Sequence, residues 1–272
     1  MTPQDTRAIA FIGGGNMAQA LIGGLLQSGV AASTILVVDP SAEQRARLAQ
    51  TFGLAPLAAA AAPLSLAGLV VWAVKPQFFA AAAAPCKPFV GEALQLSVMA
   101  GVRCQALVAA SGSTRVVRAM PNTPALIGQG IAGLYAEPAV DGAERSRVEA
   151  LFTPTGQWLW VEREADLDAV TAVSGSGPAY VFYVLEAMVQ AAVELGLSEA
   201  QGRQLAQATV GGAAALAKQS TASLADLRAQ VTSKGGTTHA AITSLQADAV
   251  AAAFVRALHA ARDRAVELGR GG

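Results

Sequence analysis

The first half of the chain alternates short apolar runs with segments of helical period. Residues 8–12, 35–38, 69–74, 94–98, 116–119, 130–135 and 158–161 read as strands, with helices at 17–27 and 43–51 between the first of them. Apolar runs without polar alternation suit strands buried on both faces, and strand–helix alternation implies βαβ units in a parallel, doubly wound α/β sheet. Residues 58–62, all alanine, read as one further short helix.

Beyond Glu162 the texture changes, because residues 167–195, 199–218, 224–231 and 238–269 carry helical period and few strand signals. The expected organisation is an α/β domain over 1–165 and an all-helical domain over 166–272. The second domain is rich in alanine, with Gly211-Gly212 and Ala213-Ala214-Ala215 inside one helix, so small uncharged residues occupy several faces. A domain of about 100 residues cannot bury all of that surface by itself. The helices are therefore expected to pack against a second subunit.

Composition narrows the function classes. Of 272 residues, 53% are hydrophobic and 14% charged, and Lys+Arg 19 balance Asp+Glu 19. Without a cationic surplus a nucleic-acid-binding face is not expected, and so apolar a chain is not disordered. Residues 48–74 hold no charge and exceed the length that spans a bilayer, but Pro56, Pro63, Gly68 and many alanines divide them into a short helix and a buried strand, so no membrane association is expected. No secretory signal is visible in residues 1–7, which makes the cytoplasm the expected compartment. Cys86 and Cys104 lack metal-ligand spacing and are expected to be reduced structural thiols, and no metal site is expected.

The candidate chemistry sits where strands end. Ile12 leads into Gly13-Gly14-Gly15-Asn16-Met17-Ala18, a G-x-G-x-x-A turn that opens a helix. Gly13 permits the tight turn, Gly15 admits a pyrophosphate close to the backbone, Ala18 allows close helix–sheet packing, and the helix start stabilises the phosphate charge. In this strand–turn–helix setting the pattern suits a dinucleotide. Asp39 ends the second strand, where a carboxylate accepts hydrogen bonds from the ribose of NADH; Ser41, Arg45 and Arg47 offer groups for the 2′-phosphate of NADPH, so both cofactors stay open. Asp39 and Ser41 also suit an ordinary helix cap. Ala73-Val74-Lys75-Pro76, Val98-Met99-Ala100 and Met120-Pro121-Asn122-Thr123-Pro124-Ala125 follow later strands, at the sheet edge where such folds bind ligands, and Asn122 is a candidate for the cofactor end of the cleft. Two glycine–hydroxyl loops mark the helical half, Ser174-Gly175-Ser176-Gly177-Pro178 and Thr232-Ser233-Lys234-Gly235-Gly236-Thr237-Thr238, each a suitable cradle for a small carboxylate.

Taken together and in this order, these segments resemble pyrroline-5-carboxylate reductases, and the stretch from Val231 to Thr238 is similar to that family's signature loop. The resemblance covers nearly the whole chain. It implies a Rossmann domain followed by a helical dimerisation domain interwoven with a partner subunit, active sites at the dimer interface, and assemblies of dimers in some members. The implied activity is hydride transfer from NADPH or NADH to the C=N bond of 1-pyrroline-5-carboxylate, giving proline. Gly13, Gly14, Gly15, Asn16, Met17, Ala73, Val74, Lys75, Pro76, Val98, Met99 and Ala100 would contact the dinucleotide. Ser174, Gly175, Ser176, Gly177 and Pro178, with Gly235, Gly236, Thr237 and Thr238, would hold the substrate. Lys234 stands where some relatives have proline, and residues 58–62 lack an asparagine expected in many members, so one cofactor contact implied by the resemblance has no matching residue here.

Such a reaction needs few acids and bases, which suits a chain with His 2. Thr238 is the catalytic candidate, polarising and orienting the ring nitrogen rather than acting as a strong acid. His239 and His259 are expected on helices as surface, core or interface residues. Two other classes fit the sequence less well. A β-hydroxyacid dehydrogenase requires a catalytic lysine on a helix of the second domain, which neither Lys218 nor Lys234 provides in suitable surroundings. A dinucleotide-binding regulator without turnover has no use for two carboxylate cradles.

Overall fold

The structure, a computed structural model, describes residues 7–270. The expected absence of a signal segment in residues 1–7 therefore falls almost wholly outside the described residues. The chain divides into two compact units, 7–176 with 261–270, and Gly177–Ala260.

The first unit is built on seven strands, β1 (Ala8–Ile12), β2 (Ile35–Val38), β3 (Ala67–Trp72), β4 (Leu94–Ser97), β5 (Val116–Met120), β6 (Gly130–Ala136) and β7 (Gly156–Trp160), in the order β2-β1-β3-β4-β5-β6-β7. Strands β1 to β5 pair in parallel, β6 runs antiparallel to β5, and β7 is parallel to β6. The parallel, doubly wound sheet expected from sequence is present over β1 to β5, and β6 departs from parallel pairing. Only residues 121–129, with the turn Thr123–Ile127 and Gly128 at φ 70° among them, join β5 to β6, and a parallel return needs a crossover of a dozen or more residues.

Helices cover both faces. α1 (Asn16–Gln27), α2 (Ala42–Phe52) and α5 (Gly142–Phe152) contribute Leu21, Ile22, Leu48 and Phe152 to one core with Phe11 and Val71. α3 (Phe79–Val90) and α4 (Cys104–Ser111) contribute Phe79, Val90 and Leu107 to the other, with Ile12, Val70 and Trp72. Neighbouring strand residues thus face opposite cores, and all six residues of β3 are buried. A polar demand inside the second core is met locally: Trp72 Nε1 donates to Gln95 Oε1 at 2.9 Å, and Gln95 Nε2 donates to the carbonyls of Val90 and Ala93.

The short helix expected at 58–62 is absent. Leu57 instead pairs with Val38 as an isolated bridge, Ala61 is extended, and a 3₁₀ turn follows at Ala62–Leu66 with Pro63 at its start. The helix expected at 167–195 is broken into α6 (Asp166–Val170), a π-helical turn (Thr171–Gly175) and α7 (Gly177–Glu194). Leu167 and Ala172 are buried in the first unit, and a methyl group on Gly133 of β6 would lie 2.6 Å from Val170. This packing carries the first unit past the 165/166 boundary drawn from sequence.

The second unit comprises α7, α8 (Glu199–Gln219), α9 (Leu224–Gln230), α10 (Thr237–Ala247) and the start of α11 (Val250–Arg270). The helix expected over 238–269 is interrupted by Ala249, a non-glycine residue at φ 51°, and α10 and α11 meet at a 54° bend. Within its own unit this bundle buries little: Phe182, Tyr183, Leu205, Leu216 and Val255 are all more than half exposed. Among the described residues no single helix is long and apolar enough to cross a membrane.

Cys86 and Cys104 are free and buried. Burial pushes the Cys86 thiol from about 9 up to about 11; burial, then Glu164 and Glu137, push Cys104 up as well. The folded state keeps protons that the unfolded chain releases, so this contribution to stability is present below about pH 9 and lost as pH rises toward about 11. In urea unfolding the midpoint should fall from pH 8.5 to pH 10.5, and fall less in Cys86→Ala. A thiol reagent at pH 8 should label both cysteines only after unfolding.

Candidate active site

Because β1 to β5 are parallel, the loops after them gather at one edge of the sheet, and the reversal of strand order between β1 and β3 opens a crevice there. Backbone hydrogen bonds hold the loops in register. Gly13 N–H donates to Val38 O and Ala73 N–H to Ile12 O, each at 2.8 Å, while Val98 N–H donates to Trp72 O at 3.1 Å. The turn requires its first glycine, since Gly13 has φ 97° and a methyl group there would lie 2.7 Å from Ala73 O.

Gly15 caps α1 with no side chain, and a methyl group on it would meet nothing within 4 Å. The first amides of α1, at Asn16, Met17 and Ala18, have no intrahelical acceptor and carry the positive end of the helix dipole. The fit to a pyrophosphate is therefore physical: open space, free donors and a favourable field.

Asp39 lies beside this turn, half-buried. Its Oδ2 accepts from Gly14 N–H at 2.8 Å and its Oδ1 from Ser41 N–H at 2.9 Å. The cap read at this position is present too, because Ser41 Oγ accepts from Gln44 N–H at 3.2 Å. Arg45 donates to the carbonyls of Asp39 and Pro40, and Arg47 pairs with Glu43 at 3.1 Å. Gln19 and Gln44, which the motif does not flag, both donate to Gly14 O. Across the crevice, Ala73 and Val74 are half-buried and Lys75 and Pro76 exposed. Met99 is buried between half-buried Val98 and Ala100, and its N–H donates to Ser97 Oγ.

Ser174, Gly175 and Ser176 belong to the first unit, in and just after the π-helical turn. Segment 164–176 is tied to the sheet by a charged cluster that sequence reading missed. Arg118 on β5 pairs with Glu164 at 2.8 Å, Glu164 also accepts from Cys104 N–H at 2.7 Å, and Arg103 pairs with Asp168 at 2.7 Å. The available signal was an arginine inside the apolar run of β5, 4% exposed in the structure. A charge so placed must be paired. At the exposed start of α6, the hydrogen bond from Arg163 holds the Asp166 carboxyl below its ordinary range.

Gly177 and Pro178 open α7 in the second unit, and Gly235 to Thr238 lead into α10 there. Gly235 has φ 76°, Gly236 N–H donates to Ser233 O at 3.1 Å, and Gly236 caps α10 without a side-chain bond. The amides of Thr237, Thr238 and His239 thus form a second uncapped helix start, with the Thr238 hydroxyl on its first turn. Among the described residues no His, Cys, Asp or Glu cluster could hold a metal ion.

A crevice at a strand-order reversal, a glycine turn and an uncapped helix define a dinucleotide-dependent oxidoreductase, and residues 8–101 match the family model "NADP oxidoreductase coenzyme F420-dependent". Residues 164–268 match the model for pyrroline-5-carboxylate reductase dimerisation. The chain is 46% identical over 266 residues to the pyrroline-5-carboxylate reductase of Pseudomonas aeruginosa, covering 97% of each, and 40% identical to that of Haemophilus influenzae, covering 96% of this chain and 97% of the other. The pyrroline-5-carboxylate reductase structure from Coxiella burnetii aligns at TM-score 0.90 and 36% identity over 97% of this chain and 99% of that one. The Plasmodium falciparum enzyme, solved with NADP bound, aligns at TM-score 0.86 and 26% identity over 97% and 98%. The chain belongs to the pyrroline-5-carboxylate reductase family.

Gly13→Ala combines a left-handed backbone with an overpacked contact. It should lower the unfolding free energy by about 2 to 4 kcal/mol in urea titrations. It should also weaken NADPH and NADH binding together, as read by nicotinamide fluorescence.

Proposed function

We propose that this chain reduces 1-pyrroline-5-carboxylate to proline, with NADPH or NADH as cofactor, as a homodimer or an assembly of dimers in the cytoplasm. The carrying observation is the pair of uncapped helix starts, α1 and α10, each preceded by glycines that leave donors exposed. One suits a pyrophosphate and the other a small carboxylate. Dimerisation accords with the family match over 164–268 and with the apolar faces of α7, α8 and α11, and the free thiols suit a reducing compartment.

The bound nicotinamide supplies the hydride; the chain supplies position. Backbone from Gly13 to Met17 receives the pyrophosphate and Asp39 the adenosine ribose. Ile12, Ala73 to Pro76 and Val98 to Ala100 line the rest of the dinucleotide site. The loops Ser174–Pro178 and Gly235–Thr237 hold the carboxylate through backbone donors and hydroxyls. Thr238 hydrogen-bonds the ring nitrogen and orients the imine. Orientation of two reactants is worth about 7 to 11 kcal/mol, which accounts for a site with so few acids and bases.

Purified protein should oxidise NADPH or NADH on addition of pyrroline-5-carboxylate; no oxidation with either removes this reading. Thr238→Ala should lower kcat/KM for the imine at least about tenfold while leaving cofactor affinity unchanged. Asp39→Ser removes a carboxylate that repels a 2′-phosphate. The ratio of NADPH to NADH affinity, measured by fluorescence titration, should rise about tenfold.

A further inference from the structure

The π-helical turn Thr171–Gly175 carries a backbone problem set by sequence. Ser176 N–H donates to Thr171 O at 2.8 Å, one residue beyond α-helical spacing. The α-helical donor to the Ser174 carbonyl is the amide of residue 178, and Pro178 has no N–H. A half-buried carbonyl left without a donor is costly. Asn122 supplies one: its Nδ2 donates to Ser174 O at 3.2 Å, across 52 residues of sequence.

The other end of the same amide is also engaged. Asn122 Oδ1 accepts from Ile131 N–H at 3.0 Å, near the start of β6. One carboxamide therefore ties the loop after β5, the start of β6 and the π-helical turn. Its backbone is held between Pro121 and the 3₁₀ turn Thr123–Ile127, whose Ala125 N–H donates to Asn122 O at 3.1 Å. The turn lies close against β5 as well, since a methyl group on Gly175 would lie 2.5 Å from Met120 Cε. Ser174 Oγ donates to Val170 O at 3.1 Å and leaves the carbonyl to Asn122.

We propose that Asn122 is a positioning residue for the substrate rather than a contact of the cofactor. Its carboxamide replaces the helical hydrogen bond that Pro178 forbids and fixes the backbone of the Ser174–Pro178 loop at the height of the strand ends. The proposal rests on that loop holding the carboxylate of the imine. Asn122→Asp tests it with little change of shape, keeping the acceptor for Ile131 N–H and replacing the donor to Ser174 O by an oxygen.

KM for pyrroline-5-carboxylate should rise about tenfold, with kcat within about threefold of the parent and the affinities for NADPH and NADH unchanged. Pro178→Ala restores an N–H four residues beyond Ser174. Added to Asn122→Asp it should recover at least about threefold of the lost KM and part of any lost Tm, each read as the coupling in a double-mutant cycle that includes Pro178→Ala alone. Weakened cofactor binding with an unchanged imine KM makes Asn122 a direct cofactor contact and overturns the proposal. A fall in Tm and kcat without a change in KM, or without rescue by Pro178→Ala, reduces it to a structural residue. A parent protein that reduces no imine overturns the underlying reading, and is seen before any variant is made.

Discussion

The approach of the Gly13 backbone to the Ala73 carbonyl is the constraint on which the rest of the first unit turns. It brings the ends of β1 and β3 together at the point where strand order reverses. It then lets the chain pass directly into α1, whose first amides have no intrahelical acceptor. No side chain fits between the two loops. The α/β unit therefore places backbone donors by excluding side chains.

The same device recurs in the helical unit, where Gly235 and Gly236 bare the start of α10. In a chain with 14% charged residues, two helix starts thus stand without a side-chain cap. Arg118, Glu164, Arg103 and Asp168 are spent inside the protein, fastening segment 164–176 to the sheet. In this cluster, charge holds a segment against the sheet.

Local pattern made much of this legible. β1 and β2 lie where the apolar runs end, and the glycine turn announces its own geometry through the residues it requires. Nonlocal pairing was not legible. α3 holds Pro85 and Pro88, punctuation that argues against a helix until packing against the core outweighs it. The reversal at β6 depends on the brevity of the β5–β6 turn, and residues 58–62 were pulled out of helix by the bridge from Leu57 to Val38. The π-helical turn and its bond to Asn122 require two segments far apart in sequence to be seen together, although Pro178 marked in advance the carbonyl that needed a partner.

The division of the chain has a consequence for how the protein is made. Residues 261–270 at the end of α11 belong to the dinucleotide-binding unit, where Leu268 packs at 3.3 Å from a methyl position on Gly101 and Gly269 lies against Arg103. The helical unit is thus an insertion, and the last contacts of the first unit follow it in the chain. Its sheet can assemble early, yet its final contacts wait until the helical bundle has been translated. Completion of the cofactor domain is in this way coupled in time to the appearance of the surface that meets a partner.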